Sequence, residues 1–502
     1  MLSIKHADLG SKVMGVTLNN GTISQLPDGI PGPSYDRAAL TPGIVHIGCG
    51  NFHRAHQSWY LGQLLEMGLC TDWAIIGAGV RPADAAMRET LEAQDWLTTL
   101  IELGPDDKRA EVIGPMIDFV PVAADNAPLI KALADPRIRI VSLTVTEGGY
   151  YVDPATNGFD TDHPDIQYDA AHPDTPRTAF GAMIAALKRR RDAGVGPFSG
   201  LSCDNLQGNG NILKSTVLSL ARLSDPDLAD WIEANCTFPN SMVDCIVPAT
   251  GPKEIALARE FGIDDAAPVT HEPFRQWVIE DNFCAGRPDW DKAGGTFTDQ
   301  VPDYETMKIR ILNGGHQVLC LVGELVGIEL MSETMADPLI HRFFRKVEEE
   351  EIVPFVKPVP GFTAPEYLEL IDGRFANPSI VDTTRRVAFD GSSRQPGFIL
   401  PSVRDGLASG APVEGLALVS AAWCRYCLGT REDGSVIEPN DPMWDALQTR
   451  AKEAASNPKT WLGMGHIYGA LAQETRFADA FVRAYAMIRN DGVKATLREF
   501  CG

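Results

Sequence analysis

Hydrophobic positions follow two different periods along the chain. Up to residue 298, short apolar runs of strand length alternate with helical patterns. "GIVHIGCG" (43–50) and "WAIIGAGV" (73–80) read as fully buried strands, and between them Phe52, Ala55, Trp59, Leu64 and Leu65 recur at helical spacing. "IRIVSLTVTEGG" (138–149) and "FSGLSCDN" (198–205) predict further strands. Their alternation with helices predicts parallel pairing through right-handed crossovers. From residue 299 the pattern is helical, over 336–352, 413–428, 441–455 and 474–499, with Pro354, Pro358, Pro360 and Pro365 punctuating a loop. No internal repeat or low-complexity segment is visible. The expected architecture is an α/β domain over 1–298 followed by a mainly α-helical domain over 299–502.

One helical segment breaks its own pattern. In "MKIRILNGGHQVLCLVGEL" (307–325), Ile309, Leu312, Val318, Leu321, Val322 and Leu325 predict a buried amphipathic helix. Yet Lys308, Asn313 and His316 are polar, and Gly314 and Gly315 each cost roughly 1 kcal/mol relative to Ala in a helix interior. At about 100° per residue, Glu305 lies about 60° and His316 about 80° from Lys308, with Asn313 near 140°, which makes one broad polar face. A lysine desolvated on such a face is suited to act as a general base. The glycine pair suits close approach of a ligand or another backbone.

Composition narrows the partners. A 502-residue chain predicts two or three domains, and a formal charge of -23 opposes nucleic-acid binding. No run reaches the roughly 18 apolar residues of a membrane helix, and "MLSIKHADLGSKVMG" lacks an apolar signal core. The expectation is a cytoplasmic protein with neither nucleic-acid nor membrane partners. The ten cysteines read as reduced structural thiols, including the CxxC pair Cys424 and Cys427. No Cys/His spacing implies a metal.

The first strand ends in "GCGNFHRAHQ" (48–57), a glycine turn entering a helix, which suits approach of a pyrophosphate to backbone N–H groups. His53 stands where the third glycine of GxGxxG belongs. His53, Arg54 and His56 at the helix start are read as meeting phosphate or packing around the cap. Two other strand ends carry Glu147 ("TVTEGGYY") and Asn205 ("SCDNLQGNG") on the same rim of the sheet, where ligands of parallel sheets bind.

Together, "K-x-x-x-x-NGGH", "GxGNFHRAHQ", "TVTEGGY", "SCDN" and "DGSSRQP" closely resemble the polyol-specific long-chain dehydrogenase/reductase family, most of all its mannitol-oxidising branch. The resemblance spans nearly the whole chain. It implies a Rossmann-type NAD-binding domain, a helical domain, a site between them, and metal-independent oxidation of C2 of an acyclic polyol, foremost D-mannitol to D-fructose, with D-arabinitol and D-sorbitol as further candidates. Carried over by motif, Lys308 is the general base, Asn205 and Asn313 bind the developing alkoxide, His316 orients the reacting oxygen, and Glu305 passes the lysine's proton to solvent. Asp244, Arg386 and Arg394 fall where the family contacts the polyol; Arg394 replaces the expected lysine. Gly48, Gly50, Asn51, Phe52, Arg54, Asp84 and Glu147 are the cofactor-site candidates. Asp84 is the acid expected to read the ribose. Ala83 replaces a second acid there, and Arg81 leaves room for some NADP use.

Two other readings share these residues. A hexuronate reductase, reducing fructuronate or tagaturonate, would use Arg386 and Arg394 to hold a carboxylate. A dinucleotide-binding regulator without catalysis is opposed by the presence of Lys308, Asn205, Asn313 and His316 together. Oligomeric state is not legible in the sequence.

Overall fold

A computed structural model describes residues 15–153 and 158–502, the side chain of Glu147 excepted; residues 1–14 of the N-terminal stretch that lacks an apolar signal core lie outside them. The chain divides into two compact units, Met1–Val301 and Pro302–Gly502.

The first unit is built on five parallel strands, β1 (Pro42–Ile47), β2 (Ala74–Ala78), β3 (Met116–Phe119), β4 (Ile140–Leu143) and β5 (Ser199–Ser202). Every residue of β1, β4 and β5 is buried, which is why these strands read as unbroken apolar runs. The order is β3-β2-β1-β4-β5, the order of a Rossmann sheet, with its switch point between β1 and β4. One face is covered by Ala127–Leu133, Ala179–Asp192 and Asn209–Ser224, whose Leu133, Phe180, Leu187 and Val217 join Val45 and Val141 in one core. On the other face Leu61, Leu64 and Leu65 of helix Gln57–Glu66 pack with Trp277 and Trp290. The pattern at 52–65 predicts one helix, but it splits into Asn51–Ala55 and Gln57–Glu66 at His56, whose φ of -119° and ψ of -92° break the spiral. Among the described residues, three small sheets add strands, including Thr98–Leu103, Lys108–Ile113, Ser241–Asp244 and Gln276–Ile279.

The second unit is helical. Glu414–Tyr426, buried along almost its whole length, packs against Gly314–Leu325 and Thr475–Asp491. Cys424 within it and Cys427 just beyond are buried, and burial pushes both thiols up, so neither is a ready thiolate. The helix expected over 474–499 divides at Gly492, which adopts φ 87°. Three five- or six-residue π-turns, Lys308–Asn313, Glu348–Ile352 and Gln395–Ile399, interrupt the α-helical pattern. The helix expected over 336–352 is therefore Pro338–Val347 running into a π-turn. Among the described residues no helix is long and apolar enough to cross a membrane.

The second π-turn is tied to the central helix by a buried carboxyl group. Buried Glu351 accepts hydrogen bonds from the backbone N–H groups of Gly415 (2.7 Å) and Leu416 (2.8 Å), satisfying two open donors of that helix's first turn. Burial raises the carboxyl to about 7, the two backbone donors opposing. Because the folded value lies above the unfolded one, the group's contribution to stability is complete below about pH 4.5 and declines as pH rises through about 7. Glu351→Gln removes the titration. The stability of the native chain relative to Glu351→Gln, measured by urea unfolding, should therefore fall by up to about 3 kcal/mol across that window. A difference independent of pH would contradict the assignment.

Candidate active site

In the first unit, the turn after β1 depends on glycine at one position. Gly48 has φ 100°, and a side chain there would run into the Thr144 carbonyl. Thr144 Oγ1 also donates to the Gly48 carbonyl at 2.6 Å, fastening β1 to the end of β4. Gly50 has open space where a Cβ would stand, so a ligand can approach its backbone.

The polar residues of the next helix are largely committed to holding this turn. Asn51 Nδ2 donates to the Pro248 carbonyl and to Thr250 Oγ1, both at 2.9 Å. Arg54 is fully buried and donates to the Ala267 carbonyl and, at 2.8 Å, to Asn51 Oδ1. Burial lowers Arg54 to about 10, with Asp265 acting in the opposite direction. Its fork thus braces the turn; direct contact with a phosphate would require that network to open. Phe52 stacks on His56 with centroids 4.8 Å apart. His53, in the place of the third glycine, is buried and stacks on His46 at 3.5 Å, filling the core behind the turn. Burial, reinforced by His46 and Arg54, holds it neutral.

A cavity of about 220 Å³ lies at the carboxyl ends of β1, β2 and β4. Gly48, Arg81, Asp84 and Thr144 line it, together with Tyr151, Asp165 and Arg177, which the sequence reading did not single out. Arg177 lies over the Tyr168 ring at 3.5 Å. Asp84 has a local task as well: its Oδ2 accepts from the N–H groups of Val80 (3.0 Å) and Arg81 (2.9 Å), capping helix Pro82–Glu92. Its Oδ1 stands 3.5 Å from the Arg81 guanidinium.

The ends of β4 and β5 are clamped together by Asp204, another residue missed in the sequence. It accepts from Val145 N–H (3.0 Å), Thr146 N–H (2.9 Å) and Tyr150 O–H (2.6 Å). The clamp holds Thr146 at φ 70° and ψ 162°, a conformation costing about 1–3 kcal/mol outside glycine. Glu147 follows at the start of a turn; its side chain lies outside the described residues. Asn205 is exposed directly after the clamp, and Asp244 is buried at the end of strand Ser241–Asp244.

In the second unit, the broken helix resolves into Val301–Met307, the π-turn Lys308–Asn313 and helix Gly314–Leu325. A π-turn bonds residue i to i+5, so Asn313 sits above Lys308 instead of the 140° away expected for a regular helix. Glu305 precedes Lys308 by three residues and His316 follows Asn313 by three, so all four share one face. Glu305 and Lys308 are buried. Asn313 Oδ1 is buried without a hydrogen-bond partner among the described residues. His316 stacks on Phe375 with centroids 4.1 Å apart. Burial lowers its pKa to about 3, with Asp382 opposing and Arg386, Arg394 and Arg374 reinforcing, so the ring is neutral at physiological pH.

The expected close approach to the glycine pair comes from protein atoms. The Phe398 carbonyl would be 3.4 Å from a Cβ at Gly314, while Glu348 Oε1 and Phe344 Cε2 would each be 2.8 Å from one at Gly315. The other two π-turns thus pack onto the first. Gln317 Nε2 (2.9 Å) and Arg394 both donate to the Val387 carbonyl, which holds the short segment carrying Arg386 against the His316 helix. Arg386 itself pairs with Asp382 through two bonds of 2.5 Å.

The switch-point cavity and the polar face of the second unit define a two-unit oxidoreductase with a Rossmann-type sheet. Residues 42–292 match the mannitol dehydrogenase Rossmann domain and residues 300–489 the mannitol dehydrogenase C-terminal domain, and the chain belongs to the mannitol dehydrogenase family. It is 60% identical to the mannitol 2-dehydrogenase of Cereibacter sphaeroides over 93% of this chain and 98% of that protein. Its fold matches Pseudomonas fluorescens mannitol 2-dehydrogenase in a ternary complex with NAD and D-mannitol (TM-score 0.88, 42% identity, 96% and 99% of the two chains). It also matches a D-sorbitol dehydrogenase in substrate-free form (TM-score 0.88, 36% identity, 96% and 100%).

Gly315 tests the packing behind the polar face. Gly315→Ala places a methyl group against Glu348 and Phe344, and overpacking of this kind typically costs about 1–3 kcal/mol. Thermal unfolding should show the loss, and turnover should fall with it as the helix bearing His316 shifts. Unchanged melting temperature and turnover would mean the contact relaxes freely.

Proposed function

We propose that this chain oxidises D-mannitol at C2 to D-fructose with NAD, using Lys308 as general base. As a member of its family it is a polyol dehydrogenase, an oxidoreductase. The observation that carries the finer reading is the π-turn, which stacks Asn313 over Lys308 on the face shared with His316 and Glu305. A buried lysine beside amide and imidazole donors is what removal of a proton from a secondary alcohol requires.

The first unit fits a dinucleotide at the turn after β1, where Gly48 has the required backbone and Gly50 is open. Gly48, Gly50, Asn51 and Phe52 would hold the pyrophosphate, with Arg54 bracing them from behind. Asp84 would read the ribose and Glu147 would lie near the nicotinamide end. When bound, NAD takes up the hydride that leaves C2. Arg81 beside Asp84 supports some acceptance of NADP.

Lys308 Nζ takes the proton of the C2 hydroxyl. Asn313 and Asn205 donate amide hydrogens to the developing alkoxide, where preorganised donors act most strongly. His316, neutral because it is buried, donates to the same oxygen and fixes its orientation. Glu305, one turn before Lys308, receives the lysine's proton and returns it to solvent. Asp244, Arg386 and Arg394 bind the remaining hydroxyls. The lysine supplies the base, so this chemistry calls on no metal. D-sorbitol is a second substrate reading, favoured by the structural match to a D-sorbitol dehydrogenase.

Lys308→Ala should lower kcat for D-mannitol oxidation by at least about 10²-fold, since general-base catalysis typically contributes 10² to 10⁴. NADH binding, followed by protein fluorescence, should change little. Turnover like that of the native chain in this variant would sink the assignment.

A further inference from the structure

The second unit contains an ion pair whose carboxylate has no part in the roles above. Asp382 lies just before the short helix Thr384–Val387, and its carboxylate accepts from Arg386 Nε and Nη2, each at 2.5 Å. The partners differ in exposure: the Asp382 side chain is 6% accessible and that of Arg386 64%. A buried carboxylate thus holds an exposed guanidinium by its side edge.

The aspartate is itself firmly placed. Its carbonyl accepts from Met331 N–H at 2.9 Å, and the Thr384 hydroxyl donates to buried Glu324 at 2.7 Å. Leu330 and Thr383 form a β-bridge between these contacts. The Val387 carbonyl, one residue past Arg386, is fixed by Gln317 and Arg394. The ion pair therefore rests on an anchored scaffold beside the His316 helix.

A free guanidinium in a sugar-binding site favours a carboxylate, which it can take bidentately. Here one of the two forks of Arg386 is already filled by a carboxylate of the protein, and the pair is neutral overall. What remains directed outward is a set of N–H donors suited to hydroxyl oxygens.

We propose that Asp382 is a positioning and specificity-determining residue: by neutralising and orienting Arg386, it makes the site select a neutral polyol or ketose over its carboxylated analogue. The inference rests on the reading of Arg386 as a substrate contact. It also separates polyol oxidation from hexuronate reduction by one identifiable charge.

The test compares NADH-linked reduction of D-fructose and of its C6-carboxylate analogue D-fructuronate. Asp382→Asn, with folding checked by circular dichroism and thermal melting, should raise KM for D-fructose with a smaller change in kcat. It should also shift the ratio of kcat/KM towards fructuronate by at least about tenfold, because an uncompensated guanidinium now faces the substrate. Asp382→Glu, which keeps the charge, should leave that ratio within about threefold of the native value. A folded Asp382→Asn with an unchanged ratio overturns the proposal. If that variant does not fold, the native enzyme decides through inhibition of D-mannitol oxidation by D-mannonate. An inhibition constant at or above the KM for mannitol supports neutralisation, and one about tenfold or more below it overturns it. Arg386→Ala tests the underlying reading separately: an unchanged KM for D-fructose removes Arg386 from the substrate site. A raised KM there, with an unaltered ratio in Asp382→Asn, removes only the role of Asp382.

Discussion

The second unit depends on the extra residue wound into the π-turn Lys308–Asn313. Polar residues at 305, 308, 313 and 316 are spaced by three, five and three, and in a regular helix the five-residue step would turn Asn313 about 140° away from Lys308. The π-turn absorbs the five-residue step, so a single continuous element presents a lysine, a carboxylate, an amide and an imidazole together. Because such turns are less favourable than α-helix, neighbours must hold this one. Arg310 does so by donating to Ser402 Oγ (2.9 Å) and Asp405 (3.0 Å), and the segments Glu348–Ile352 and Gln395–Ile399 press on the glycines that follow.

The buried charges of this unit have divergent tasks. Glu351 caps the central helix, and Asp382 pairs with an arginine at the surface. Glu348, fully buried against Gly315, has neither oxygen hydrogen-bonded among the described residues, and burial raises its pKa well above the usual carboxylate range, with Arg345 opposing. A neutral carboxylic acid there adds volume behind the polar face without adding charge. The first unit follows a different rule: its polar side chains fasten strand ends and turns. Thr144, Asp204, Asn51 and Arg54 all bond backbone groups, leaving the glycine turn open at Gly50.

Much of the first unit was legible because parallel strands buried on both faces leave unbroken apolar runs, as at 43–50 and 138–149. Lys108–Ile113 was not, since its first two residues are exposed and its run is mixed. In the second unit helix positions were legible from periodicity, but the π-turn was not, because a template of 3.6 residues per turn has no place for a five-residue step. The marks were present in Lys308 and Asn313 and were read as opposite edges of a wide face. The glycine pair signalled close approach correctly, while the approaching groups, Phe398, Phe344 and Glu348, come from positions distant in sequence. Asp382 and Arg386 stand four residues apart in "DTTRR", a spacing that could have revealed the pair.

The proposed chemistry depends on the five-residue step of the π-turn. Inserting an alanine after Ile309 lengthens that step to six residues, which turns Asn313 and His316 by about 100° relative to Glu305 and Lys308 without removing any polar group of the face. Such a variant should retain native-like circular dichroism and NADH binding but lose at least about 10²-fold in kcat for D-mannitol, the scale of general-base catalysis. A folded insertion variant with native turnover would contradict this register.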